Sequence, residues 1–210
     1  MNSHIEAAAD AVAEKSKDRD RTIIAVAGPP GAGKSTFADS LVQELKARGI
    51  AAKTIPMDGF HYDNAVLDAK GWRDRKGAPH TFDAAGLLSL LRRLRDGEDD
   101  VAVPLFDRGR DIAIAGARLV VRDDCVLIAE GNYLLLDTPP WAAMRPLFDL
   151  TILLDPGMPT IRQRLIARWL DHGHTTSEAE RRAAHNDIPN AEHVLEHSAK
   201  ADLTFANGNS

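Results

Sequence analysis

The run Gly28-Pro29-Pro30-Gly31-Ala32-Gly33-Lys34-Ser35, with Thr36 next, has the spacing G-x-x-x-x-G-K-[ST]. Glycines at these places let backbone N–H groups curl inward around phosphate oxygens. A helix starting there adds the positive end of its dipole. Lys34 is expected to reach the outer phosphates, and the Ser35 hydroxyl to ligate Mg2+. Residues 28–36 therefore read as a nucleoside triphosphate site, with ATP and Mg2+ as the expected ligands. A second acid should help hold the metal. Glu130 closes the apolar run Cys125-Val126-Leu127-Ile128-Ala129 and is placed for that task. Asp155 ends Thr151-Ile152-Leu153-Leu154 in the same way, and reads equally as a helix cap or a site residue.

A phosphate loop gives a class, not a reaction. The chain has no N-K-x-D for guanine and no LSGGQ-like transporter signature. The pattern D-x-x-G occurs more than once, as at Asp68–Gly71 and Asp83–Gly86, and so says little. Phosphoryl transfer to an alcohol needs a carboxylate that orients the hydroxyl and accepts its proton, together with cations for the moving charge. Asp58, directly behind Ile55-Pro56-Met57 and followed by Gly59, is the carboxylate in position; a plain Asp-Gly turn is the alternative. The cations of small-molecule kinases often come from a lid that closes over the site. An Arg-rich helix late in the chain could supply them.

These residues need a scaffold, and the hydrophobic pattern supplies one. Residues 22–28 and 126–129 are continuous apolar runs of the kind buried on both faces, 148–155 is another, and 51–57 and 201–208 read as further strands. Between them, 37–49, 83–97, 160–173 and 188–199 show helical spacing or helix stops, and 5–17 reads as an amphipathic leading helix. Two short extended pieces, 101–106 and 112–121, flank a polar loop. Residues 59–82 look irregular and substrate-facing. Strands alternating with helices predict a three-layer α/β/α fold with a mostly parallel sheet. The expected organisation is one domain over 1–210: a core of 18–167 and 187–206, a helical lid over 168–186, and a leading helix over 1–17.

A length of 210 residues, 44% hydrophobic and 27% charged, fits one globular domain. No apolar run approaches a membrane span, and the first twenty residues lack the pattern of a signal peptide. The single cysteine, Cys125, excludes an internal disulfide framework and fits a reducing, cytoplasmic setting. A net charge of −5 gives no reason to expect nucleic acid. The expected partner is a small-molecule substrate, with neither nucleic acid nor membrane, and a homodimer is possible.

Four stretches carry a resemblance. AVAGPPGAGKST, PMDGFHYDN, VPLFDRGRD and LIAEGNYLL, with a closing NDIPNAEHVLEHSAKADL, resemble the uridine kinase, phosphoribulokinase and bacterial pantothenate kinase group of P-loop kinases over roughly residues 20–206. The combination MDGFHYDNAVLDAKG, FDRGRDIAIAG and EGNYLLLD is most similar to small kinases associated with fructose transport systems. The resemblance implies an ATP- and Mg2+-dependent phosphotransferase with an alcohol acceptor. It implies Asp58 as general base beside Lys34, and Arg168 as the lid arginine aimed at the phosphates. Where uridine kinases carry a His and an Arg that meet the nucleoside, this chain has Arg108-Gly109-Arg110. A compact sugar or polyol suits these Asp-, Arg- and His-rich loops, since hydroxyls need paired donors and acceptors. Nucleoside and pantothenate acceptors stay open, as does an accessory ATPase of a sugar transport system.

The remaining candidates follow from position. His61 and Tyr62 adjoin Asp58 and are expected at the substrate, or as a packed aromatic pair. Asp107 and Arg110 are expected to meet substrate, with a surface ion pair as the alternative. Asn132 follows Glu130-Gly131 and reads as an acceptor contact or a turn cap. Trp72, Trp141 and Trp169 read as packing residues. The pairs His172/His174 and His193/His197 fall short of the three or four ligands of a zinc site.

Overall fold

In the computed structural model, which describes residues 2–206, five strands lie parallel in the order β2-β5-β1-β6-β7. They are β1 (Thr22–Ala27), β2 (Ala52–Pro56), β5 (Val126–Gly131), β6 (Leu150–Leu154) and β7 (Leu203–Phe205). Every residue of β1 and β5 is buried, as continuous apolar runs demand of strands covered on both faces. Alternate residues serve opposite faces. Ile23, Ala25, Ala27, Ile55, Leu127 and Ala129 pack beneath α4 (Ala84–Arg95). On the other face Ile24, Val26, Val126, Ile128, Ile152 and Leu154 pack against α1 (Asn2–Ser16) and α2 (Lys34–Ala47). The expected α/β/α layering is the architecture found.

Strand register sets the site. Ala27 stands opposite Gly131, and Pro56 opposite Glu130. The chain leaves β1 into residues 28–33, β5 carries its acid one residue before its end, and β2 runs into a tight 3-10 turn, Met57–Phe60, that carries Asp58. Three carboxyl-terminal strand ends thus present the phosphate loop and both acids side by side, the usual ligand position in open parallel sheets.

The segment 59–82, expected to be irregular, is partly helical. α3 (Asn64–Lys70) is capped by Asp63, whose carboxylate accepts the Ala65 N–H, and two further 3-10 turns follow. Its helical signal is weak because Leu67 is the one residue of α3 that is buried. The extended pieces 101–106 and 112–121 form an antiparallel hairpin of β3 (Val101–Asp107) and β4 (Ile112–Val120), separate from the main sheet. After β6 come α5 (Met158–Asp171), α6 (Thr176–Arg182), a π turn (Ala183–Asp187) and α7 (Ile188–His197). Asp155 accepts the Gly157 N–H at 3.0 Å, so its side chain shapes the turn into α5. No described helix is long and apolar enough to cross a membrane.

Gly59 fixes the distance between the Asp58 turn and the hairpin. A Cβ built there would lie 2.3 Å from the carbonyl oxygen of Pro104. Gly59→Ala must therefore push β3 away from the turn, at a cost of about 1–3 kcal/mol. Urea denaturation should show that loss; an unchanged midpoint would mean the hairpin is not held against the turn.

Candidate active site

The strand ends, the 59–82 segment, the hairpin and the α5–α7 region enclose a cavity of about 1130 Å3. Its wall carries seven Lys and Arg against five Asp and Glu, although the whole chain is acidic. A basic cavity in an acidic protein is a place for anions.

At its floor, Gly33 sits in the left-handed region (φ 84°) at the N-cap of α2, which turns the preceding loop back on itself. Pro30, Gly31, Gly33, Lys34, Ser35 and Thr36 line the cavity, while Gly28, Pro29 and Ala32 do not. Lys34 is 8% exposed and donates to the Pro29 carbonyl at 2.9 Å. Burial pushes its pKa down from 10.5 to about 8, against the opposing pull of the Glu130 and Asp58 carboxylates. Glu130 is buried too, and that burial raises its pKa, with the nearby Lys34 ammonium working the other way. The Ser35 hydroxyl donates to Glu130 Oε1 at 3.2 Å. A hydroxyl and a carboxylate side by side, beside the loop of residues 28–33, are hard oxygen donors that suit Mg2+ carried in with a polyphosphate.

The Asp58 carboxylate stands close enough to bear on the charge of both Lys34 and Glu130. The Asp58 carboxylate is held by the guanidinium of Arg108, whose side chain is 71% exposed at the hairpin tip. His61 packs between Phe82 and Phe106, with ring centroids 4.0 and 4.6 Å away. Its Nδ1 donates to the Asp58 carbonyl at 2.8 Å, and burial lowers its pKa, leaving it neutral. Lys76 donates to Asn64 and Asp111 at 2.7 Å each, tying the 59–82 segment to the hairpin. Asn132 lines the same side, and Tyr133, fully buried, donates its hydroxyl to the Gly77 carbonyl. Arg168 enters from α5 and pairs with Asp187 at 2.9 Å.

Asp58, His61, Glu130, Asn132 and Arg168 therefore line one cavity with the phosphate loop. Tyr62, Asp107 and Arg110 are not brought to it. The Tyr62 backbone N–H bonds the Thr81 carbonyl, and the Tyr62 ring is not part of the wall. Arg110 pairs with Asp107 through its backbone N–H at 3.0 Å and its Nε at 2.7 Å, closing the hairpin turn on its outer side. The turn instead sends Arg108 and Asp111 inward. Sequence reasoning missed both, because no spacing rule says which face a hairpin tip presents. It also missed Lys76 and Asp187, and Trp169, read as a packing residue, lines the cavity as well.

A model of the phosphoribulokinase / uridine kinase family matches residues 23–208. The chain belongs to the phosphoribulokinase/uridine kinase family. It is a P-loop small-molecule kinase, of a family that works with ATP and Mg2+. An Escherichia coli relative, the uncharacterized protein YggC, is 39% identical over 87% of this kinase and 76% of its own length. A Schizosaccharomyces pombe relative described as a "putative uridine kinase" is 35% identical over 90% of this kinase and 84% of its own length. The crystal structure of a "putative fructose transport system kinase" from Silicibacter sp. TM1040 is 43% identical. It superposes with a TM-score of 0.92, over 96% of this kinase and 98% of that chain.

The buried ammonium has a measurable signature. An unfolded Lys34 holds its proton up to about pH 10.5, whereas the folded one releases it near pH 8. Between those values the unfolded chain binds more protons, so stability rises with pH. Relative to Lys34→Met, the nucleotide-free protein should gain roughly 2 kcal/mol from about pH 7.5 to about pH 9.5 in urea denaturation. Parallel curves for the two proteins would show that the lysine is not buried charged at neutral pH.

Proposed function

We propose that this kinase transfers the γ-phosphoryl of Mg-ATP to a hydroxyl of a small sugar or polyol. The observation that carries the reading is the position of Asp58. It stands in one cavity with Lys34, Ser35 and Glu130, where Arg108, Asn132, the Lys76–Asp111 pair and His61, itself packed between Phe82 and Phe106, offer donors and acceptors. A hydroxyl-rich molecule needs such paired groups, and a site built from them rejects analogues that leave them unpaired. The likeness to a structure named for fructose transport supports the same choice.

In this mechanism the acceptor oxygen attacks the γ-phosphorus as the bond to the β–γ bridging oxygen breaks, and ADP leaves. The hydroxyl proton passes to the Asp58 carboxylate, which must first give up Arg108 to receive it. Lys34 and the loop N–H groups hold the phosphates, and Arg168 faces the charge that develops in transfer. Ser35 and Glu130 would hold Mg2+, which supplies charge neutralisation on the phosphate oxygens. Residues 168–186, with α6 and the π turn, act as the lid that keeps water from the reaction. An accessory ATPase would have no use for an acceptor wall of this kind, and so is the weaker reading.

ADP release from Mg-ATP across sugars, polyols, nucleosides and pantothenate, with product mass measured, tests the proposal. Acceleration by a sugar or polyol with a matching phosphate ester is the expected result. Acceleration only by a nucleoside or pantothenate would overturn the acceptor class, and hydrolysis indifferent to every acceptor would favour the ATPase. With the true acceptor, Asp58→Asn should lose on the order of 100- to 10,000-fold in kcat while binding ATP normally. Lys34→Ala should lose ATP affinity as well. Near-normal turnover by Asp58→Asn would remove Asp58 from the role of base.

A further inference from the structure

Three neighbouring residues of the lid root share one short irregularity. α6 does not run straight into α7: Ala183–Asp187 winds as a π turn, and single π turns inside helical runs occur often at functional sites. The extra residue per turn directs three successive groups at different parts of the cavity wall. The His185 carbonyl accepts from Arg75 at 3.3 Å, and Asn186 Nδ2 donates to the Lys76 carbonyl at 2.8 Å. Asp187 turns back to α5, where one carboxylate oxygen accepts the Trp169 indole N–H at 2.7 Å and the other pairs with the Arg168 guanidinium at 2.9 Å.

Asp187 is unusual for a lid acid. Its side chain is 12% exposed, while that of Arg168 is 39% exposed and lines the cavity. A carboxylate so enclosed is costly unless both oxygens are engaged, and here both are. The indole fixes the carboxylate, and the carboxylate fixes the guanidinium. The Arg168 and Arg182 guanidiniums also lie 5.7 and 5.1 Å from the Trp169 ring, so the cluster is closed on itself. An arginine otherwise has several rotatable bonds and no reason to hold one aim.

We infer that Asp187 is the positioning residue for Arg168: the π turn carries a buried carboxylate that holds the guanidinium toward the phosphate end of the cavity, braced by Trp169. Through Asn186 the same turn is bonded to the segment bearing Lys76, so phosphate and acceptor sides of the cavity close on one element. The inference rests on the reading of Arg168 as the group that meets the moving charge. It is independent of which acceptor the kinase uses.

The test is a double-mutant cycle on Arg168→Ala and Asp187→Asn in the full chain, read first as Mg-ATP hydrolysis by water, which needs no acceptor. The Asn oxygen can still accept from the indole, so the exchange removes mainly the charge pair. Asp187→Asn is expected to lose on the order of 100-fold in kcat, the scale of a group misplaced by an ångström. Calorimetric affinity for Mg-ADP, which lacks the transferred group, should change less than about threefold on the same reasoning. On the Arg168→Ala background the Asp187 change should cost nothing further. Asp187→Glu, which keeps the charge and moves it by one methylene, gives the same comparison if the amide variant does not fold. Additive losses, or a matching fall in Mg-ADP affinity, would make Asp187 a structural residue and overturn the inference while leaving Arg168 in place. A normal Arg168→Ala enzyme would remove the role of Arg168 and this inference together, with the assignment of Asp58 untouched.

Discussion

A lysine ammonium buried at the start of α2, behind the loop that follows a fully buried strand, is the constraint around which the rest is arranged. Lys34 cannot be left alone there, because a charge taken out of water needs compensation close at hand. One carbonyl, that of Pro29, and two carboxylates, Glu130 and Asp58, supply part of it. Burial outweighs these partners, and the pKa of the lysine stays depressed. Strand register is what brings these acids there. Only with β5 beside β1, and β2 beside β5, do both acids arrive at the lysine.

The two sides of the cavity are built by different means. The phosphate side comes from strand ends and a helix start, elements whose positions are fixed by a continuous apolar core. The acceptor side comes from a hairpin, a short helix and 3-10 turns, held to one another by polar contacts such as Lys76 to Asp111 and Tyr133 to Gly77. Side chains carried on loops and turns vary more readily than a backbone cradle fixed by a packed core.

That division also explains what could be read in the sequence. Buried strands announce themselves as unbroken apolar runs, and a loop that must wrap phosphate demands glycine, lysine and a hydroxyl in fixed order. The layering, the nucleotide site, and the places of Asp58, Glu130 and Arg168 on the cavity wall were legible for that reason. α3 was not, since one buried leucine in seven residues gives no period to detect. The hairpin tip was misread: Asp107 and Arg110 bond each other outside, and Arg108 between them faces Asp58. A one-residue difference in a turn reverses which side chain points inward, and only three-dimensional pairing settles it. Asp187 was hidden similarly, because a π turn leaves no mark in composition.

The hairpin that carries Arg108 has a second consequence, for the sheet rather than the site. β2 is an edge strand, and a bare edge invites a strand from another molecule. Arg118 of β4 donates to the Thr54 carbonyl at 2.7 Å, Lys53 donates outward to the Leu119 carbonyl at 2.9 Å, and Pro56 ends the strand without an N–H to offer. An incoming strand meets an arginine, a tethered lysine and a proline where it would need a ladder. The hairpin that lines the cavity thus also covers part of the β2 edge, and a hairpin exchanged for another would have to keep Arg118 and its neighbours to keep that cover.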